Sequence, residues 1–308
     1  MNNYLKIMAI AALPLMFAGC ADNDEVIAGD ETVEVSFSAA LPQKIQSRAA
    51  GSTLNVNKVV CATFDSEGNE IEALREVVDI VDGQDIQYAP RLVKDHTYQV
   101  AFWAMKEGAY NVTDMKNISR KAGEGASTDE SDFECFANHT AQFTVSGNAN
   151  ESITLSRPVA RLRLGTSEAD LDAVKALGYT PTSVEVKLTT NNAYNALEGK
   201  VTGTASKQTF TLPVSTEGSI TAGESTYKSL TSNYVFASDG NVTVTLTIKG
   251  KKNTEGATEE NICTRTVDNV PLHPNKNTNI VGDLMTGTVI YTITMESEYG
   301  DRDENKPV

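Results

Sequence analysis

The side chains able to do covalent or metal chemistry are few, and their spacing brings none of them together. Ser225-Thr226-Tyr227-Lys228 has the Ser-x-x-Lys spacing in which a lysine activates a serine, and Ser238-Asp239-Gly240 loosely echoes the element that accompanies it in acyl-transfer sites. The two stand too close in sequence, no Lys-Thr-Gly follows, and both fall in strand-like sequence. His96, His139 and His273 are isolated, without a His-x-x-x-His pair or flanking carboxylates, so metal ligation and general base work are not expected. Asp65-Ser66-Glu67-Gly68-Asn69-Glu70 offers oxygen ligands, but its glycine is in the fourth place, where a calcium loop needs the sixth; a hairpin turn explains it better. No Gly-x-x-x-x-Gly-Lys-Ser/Thr loop is present, and Asp129-Glu130-Ser131-Asp132-Phe133-Glu134 reads as a solvated loop. The expectation is a non-enzymatic chain with no catalytic residue, no metal site and no cofactor.

The chemistry that does stand out is at the amino terminus. Lys6 precedes an apolar run from Ile7 to Ala18, ending at Gly19-Cys20. A basic start, an apolar stretch of roughly 10 residues and a small residue before the cut describe a secretory signal, too short for a transmembrane helix of about 20 residues. A small residue followed by cysteine is also how lipoprotein signals end, although Phe17 stands where leucine is usual. Residues 1–19 are therefore read as signal peptide and Cys20 as the lipidated residue, against the plainer reading of a chance cysteine. The acidic Ala21-Asp22-Asn23-Asp24-Glu25 then serves as a surface-export signal or as a solvated tether.

Composition narrows the partners. A net charge of −15 over 308 residues leaves no basic footprint for nucleic acid or anionic lipid surfaces. Beyond Cys20 only Cys61, Cys135 and Cys263 remain; three thiols cannot all pair, and none has metal or redox spacing, so they read as small buried hydrophobes with at most one disulfide. The Asn-x-Ser/Thr triplets at Asn111, Asn117, Asn138, Asn150 and Asn241 read as surface turns.

Nearly everything else alternates. Val33, Val35 and Phe37 are separated by Glu34 and Ser36, and Val242, Val244, Leu246 and Ile248 by Thr243, Thr245 and Thr247. The same period recurs at Val184 to Leu188, Phe210 to Val214 and Val289 to Met295. One apolar and one Thr-rich face is how a half-buried strand reads, and the Gly, Asn, Asp and Pro clusters between such runs are turns. The expected fold is all-β, two tandem β-sandwiches over 49–155 and 156–308, with a polar turn between them near Asn148 to Pro158. One short helix is expected: Ser167 caps it, Leu171, Val174 and Leu177 line its face, and Gly178 ends it. A further helical turn is expected over Asp114 to Lys121. Tyr98, Val100 and Phe102 share a strand face and read as core, whereas Trp103 points the other way, toward an interdomain contact or a ligand.

The segment between lipid and body carries the functional expectation. Glu31 to Leu41 alternates as a strand, and Pro42 to Gly51 is polar and small-residue rich, the kind of loop proteases prefer. An arginine-specific protease cutting at Arg48-Ala49 would release residues 20–48 and could vacate a groove that an extended segment of another subunit fills. The alternative is a tether and first strand that are never cut.

The order of lipoprotein signal, strand, Arg48-Ala49 and a first mature strand from Val56 to Phe64 resembles the fimbrillins of Bacteroidetes, subunits of type V pili. Arg157-Pro158-Val159-Ala160-Arg161-Leu162-Arg163-Leu164 resembles the strand opening their second domain, and Val270 to Gly282 the segment before their last strands. The resemblance implies transthyretin-like modules, removal of the strand bearing Val33, Val35 and Phe37, and a donor strand within 288–296 (Val289, Tyr291, Ile293, Met295). It implies a surface-exposed outer-membrane lipoprotein that becomes a pilus subunit polymerised by donor-strand exchange. Its partners would be other subunits in a homo- or hetero-polymer, the outer membrane, an arginine-specific protease and a host or bacterial receptor. A monomeric glycan- or ligand-binding lipoprotein is the competing reading. The polar tail Ser297 to Val308 departs from the family and leaves stalk, tip and anchor roles open.

Overall fold

In the computed structural model, which describes residues 31–42, 55–122, 129–237, 240–286 and 291–296, two strand-rich stretches are joined through a shared core. The first comprises β1 (Thr32–Ala40), β2 (Lys58–Phe64), β3 (Glu76–Asp79), β4 (Ile86–Tyr88), β5 (Arg91–Val93), β6 (Thr97–Met105), β7 (Tyr110–Asn111), β8 (Ile118–Arg120), β9 (Cys135–His139), β10 (Phe143–Thr144) and β11 (Ala149–Thr154). The second comprises β12 (Val159–Thr166), β13 (Tyr179–Thr190), β14 (Ala193–Asn195), β15 (Lys200–Thr202), β16 (Ser206–Pro213), β17 (Ser219–Ala222), β18 (Ser225–Phe236), β19 (Gly240–Lys252), β20 (Glu259–Leu272), β21 (Asn277–Gly282) and β22 (Tyr291–Met295). The protein is all-β with one short helix, α1 (Glu168–Ala176), as the alternation requires.

The sheet built on β6 and β2 explains the apolar run through residues 100–105. Tyr98, Val100, Phe102 and Ala104 face one cluster, which includes Val59 and Cys61 of β2 and the inward residues of β1. Ala101, Trp103 and Met105 face the opposite cluster with Val60, Ala62 and Phe64. A strand covered on both faces cannot show polar alternation, because each of its successive side chains enters a core. The second of these clusters also takes in Val159, Tyr194, Tyr234 and Phe236, so it joins the two stretches of strands. Trp103 lies fully buried there, its ring 5.2 Å from Tyr110 and 5.4 Å from Tyr194. Of the two roles open to Trp103, the structure takes the contact.

The third cluster lies between the β17-β18-β12-β21-β22 sheet and the β16-β13-β19-β20 sheet. Helix α1 covers it with Leu171 and Val174, and the Ser167 hydroxyl accepts a bond from the Asp170 amide at 3.0 Å, as the capping signal requires. Leu177, expected on the same face, is instead 69% exposed. Steps of three residues fall short of a whole turn, so Leu177 is rotated about 120° from Leu171. Gly178 ends the helix at φ +83°.

Two other local expectations change. Asp114 to Lys121 is a turn leading into β8, which pairs with β7 and β14, and not a helical turn. Asn148 to Pro158, read as a polar turn, contains β11. Its polarity comes from its position, since the side chains of this outer strand face mostly solvent.

Candidate functional site

β1 occupies the middle of its sheet. On one side it runs parallel to β11, pairing Val35 with Ala149 through to Ala40 with Thr154. On the other it runs antiparallel to β5 and then β4, pairing Thr32 with Val93 and Phe37 with Tyr88. Among the described residues, β4, β5 and β11 pair with β1 alone, so this sheet is held together through a single strand.

Its inward side chains are core. Val35 is buried, Phe37 and Ala39 are fully buried, Leu41 beyond the strand end is buried, and Val33 packs half-buried at the start. The Phe37 ring lies 6.1 Å from Tyr88, 6.1 Å from Phe102 and 5.9 Å from Phe143, an aromatic pocket drawn from three separate strands. Burial of the larger of these side chains, Val35, Phe37 and Leu41, contributes roughly 1.5–3 kcal/mol each. The outward side is held by polar contacts that any strand with a hydroxyl could repeat: Ser38 Oγ donates to Asp85 at 3.1 Å, and Gln87 Nε2 donates to Ser38 Oγ at 3.1 Å. The Glu34 amide donates to Asn148 Oδ1 at 3.1 Å and the Val35 amide to the Pro90 carbonyl at 3.2 Å.

β22, at the other end of the chain, sits quite differently. It pairs antiparallel with β21 on the rim of its sheet, with Ile293 half-buried and Tyr291 and Met295 38% and 45% exposed. Glu296 just beyond it accepts from Asn277 at 2.8 Å and Asn279 at 3.0 Å and lies 3.6 Å from Arg163. The strand is thus tied by its end and by backbone pairing more than by its side chains. Cys20, Arg48, Ala49 and Val289 lie outside the described residues, as do Ser238 and Asp239.

The residues weighed for catalysis are dispersed by the fold. Ser225 and Lys228 lie three apart on β18, so their side chains leave opposite faces. Asp65 accepts from the amides of Glu67 and Asn69, both at 2.9 Å, and from Asn69 Nδ2 at 3.1 Å, which commits its carboxylate to the hairpin turn. Those bonds, led by the Asn69 amide, hold its carboxyl below the usual aspartate range. Cys61 and Cys135 are buried and unpaired and Cys263 is half-buried; burial pushes the Cys61 thiol up to about 12. Among the described residues no cluster of three His, Cys, Asp or Glu side chains is placed to hold a metal. No described helix is long and apolar enough to cross a membrane.

A cavity of about 410 Å³ opens beside β8, lined by Arg120, Phe133, Asn191, Gln208, Phe210 and Phe236 among others. The Arg120 guanidinium is already engaged: it donates to Glu130 at 2.6 Å and to the Tyr234 carbonyl at 3.1 Å, and it stacks 3.4 Å from the Phe133 ring. Its cation therefore serves the fold.

A family model described as a family of unknown function (DUF6562) matches residues 26–307. The chain belongs to this family. No curated protein matches the chain. Among solved structures it is similar to the fimbrial anchor protein Mfa2 from Porphyromonas gingivalis, at 12% identity over 81% of this chain and 90% of that one, with a TM-score of 0.47. It is similar also to a candidate cell adhesion protein from Bacteroides eggerthii, at 14% identity over 86% and 95% of the two chains and a TM-score of 0.49. A candidate adhesin from Bacteroides ovatus matches at 13% identity over 76% of each chain, with a TM-score of 0.46.

The alternation over Glu31 to Leu41 marks β1, but no local pattern marks the strands that line its slot. Ile86-Gln87-Tyr88 does alternate, yet three residues are too short a run to separate from a turn. The partner β11 is hidden by its polarity, because its side chains face mostly solvent.

Proposed function

We propose that this protein is a structural subunit of a cell-surface fimbria, exported as a lipoprotein through Cys20, cut after Arg48 and polymerised by strand exchange. The observation that carries the reading is the place of β1: a central strand on which three other strands depend for pairing among the described residues, followed in the sequence by the polar, small-residue-rich segment Pro42 to Gly51. A strand that is interior to a sheet cannot leave without creating a demand. Its loss strips β11, β4 and β5 of partners and opens the pockets of Phe37 and Ala39. An extended segment supplied by another subunit answers that demand with backbone bonds and alternate side chains. β22 suits the giving role, being peripheral and held on one side only among the described residues. The buried Trp103 weakens the competing reading of an aromatic sugar platform, because the ring is spent on the join between the two stretches of strands.

Treatment of the full chain with an arginine-specific protease, in the presence of a surface-protein fraction from the cells that make it, tests the reading. The expected result is loss of residues 20–48 from the body and higher-order species on gels run without boiling, both absent for Arg48→Ala. Cleaved chain that joins no other subunit, or the same species from Arg48→Ala, overturns it.

A further inference from the structure

The slot that holds β1 has a shape that its own chain's last strand does not match. Read in the same direction, Val35, Phe37, Ala39 and Leu41 correspond to Val289, Tyr291, Ile293 and Met295. Three of the four pairs agree in size, and Thr292 stands where the Ser38 hydroxyl meets Asp85. The third pair does not agree. Ala39 is fully buried, and its register partners are isoleucines on both sides, Ile153 on β11 and Ile86 on β4. Directly paired residues project from the same face with Cβ atoms about 5 Å apart, so an isoleucine in the middle puts three abreast where the fold keeps a methyl group between two. A close-packed core has no room for the extra carbons.

Other alignments fare no better. Sliding the segment by two residues sets Tyr291 or Met295 at the Ala39 position. Sliding it by four one way brings Ser297 there but sets Glu296 against the Asp85 carboxylate that now receives the Ser38 hydroxyl; sliding it by four the other way sets the larger Val289 there and leaves the Phe37 pocket to Gly287. Slips by one turn Thr292 and Thr294 inward. Reversing the strand about its centre places Tyr291 over Ala39 when Ile293 enters the Phe37 pocket.

We infer that the β1 slot is selective for a strand of a different subunit, one carrying an aromatic residue, then Ser or Thr, then a small residue, and that it turns away this chain's own C-terminal strand. Ala39's site is the filter, with Ile86 and Ile153 as its walls and Asp85 as its check on register. The inference rests on the strand-exchange reading above, and it makes the assembly heterotypic: the chain gives its last strand to a neighbour with a wider slot and receives one from a third protein. Specificity of this kind comes from what the wrong strand meets as much as from what the right one gains.

Labelled peptides taken up by the full chain after arginine-specific cleavage test it. The probes are residues 32–41, residues 288–297 and the latter with Ile293→Ala. Uptake of the first is expected, with the Ile293→Ala peptide bound about tenfold or more tighter than its parent, the penalty for overpacking a core site. Uptake of 32–41 together with equal uptake of the other two overturns the filter alone. No uptake of 32–41 overturns strand exchange itself, and the filter with it.

Discussion

Phe37 and Tyr88 stack across the β1–β4 ladder with ring centroids 6.1 Å apart and planes 28° from parallel. Tyr88 is itself anchored: its hydroxyl contacts Thr63 Oγ1 at 2.7 Å and donates to the Leu74 carbonyl at 2.6 Å. The pair therefore ties β1 to β2 and to the chain beyond it. Truncating a fully buried phenylalanine removes its burial and leaves a cavity, so Phe37→Ala should lower unfolding free energy by about 3–5 kcal/mol. Ser38→Ala, which loses a solvent-side hydroxyl, should cost under about 1 kcal/mol. Denaturant titration of the two variants checks this; equal midpoints would mean that β1 is not part of the cooperative core.

Trp103 is the chain's single tryptophan, and it is fully buried between Tyr110, Tyr194 and Phe236. Native emission should be blue-shifted and resist acrylamide quenching, and both signals should collapse in one step with unfolding. Because this cluster joins the two stretches of strands, Trp103→Ala should cost about 3–5 kcal/mol. An early loss of the tryptophan signal, ahead of far-ultraviolet dichroism, would show that the join opens before the sheets do.

How far the fold could be read from the sequence follows from how many faces each strand buries. β1, β13 and β19 show clean alternation because one face meets core and the other solvent or Thr-rich sheet surface, and all three were legible. β6 reads as a run because both its faces are covered, so the opposite pointing of Phe102 and Trp103 could be stated but not the cluster that Trp103 enters. β11 was misread because it buries almost nothing. The slot around β1 is assembled from residues 86–92 and 149–154, which no local pattern connects to residue 37. The Arg157-Pro158 motif was visible, but the role of Arg157 depends on a carboxylate 23 residues earlier.

Gly199 and His139 are in close register across the join. An added Cβ at Gly199 would lie 2.5 Å from His139 Cε1, and the backbone there has φ +66°. Gly199→Ala should therefore destabilise through both strain and collision, by about 1–3 kcal/mol. Burial holds the His139 imidazole below its ordinary value, and its Nδ1 has no hydrogen-bond partner among the described residues. The folded state thus prefers the neutral ring: the stability it contributes is complete above the ordinary value of 6.5 and is lost as pH falls below that through the depressed folded value. The thermal midpoint should fall between about pH 7.5 and about pH 5.5 by more in the wild type than in His139→Gln. Parallel curves for the two proteins would remove His139 from the acid response.

Arg157 and Glu134 form an ion pair within the protein, with side chains 4% and 2% exposed. Arg157 Nε and Nη2 both donate to Glu134 Oε1, at 3.0 Å and 2.7 Å, while the guanidinium lies 4.6 Å from the Phe136 ring. The pair links the entry to β9 with the residues just before β12, where the chain passes from one stretch of strands to the other. Taking two charges out of water costs several kcal/mol each, and their attraction returns that only while both are present. Glu134→Gln should therefore be strongly destabilising, about 3–5 kcal/mol, because the buried guanidinium loses the carboxylate to which both its Nε and Nη2 donate. Glu134→Gln combined with Arg157→Met removes both charges and should recover much of that loss, so the double variant should be more stable than the single one. Additive losses would instead show that Arg157 acts through its stacking on Phe136 and its other contacts, with the carboxylate a minor partner.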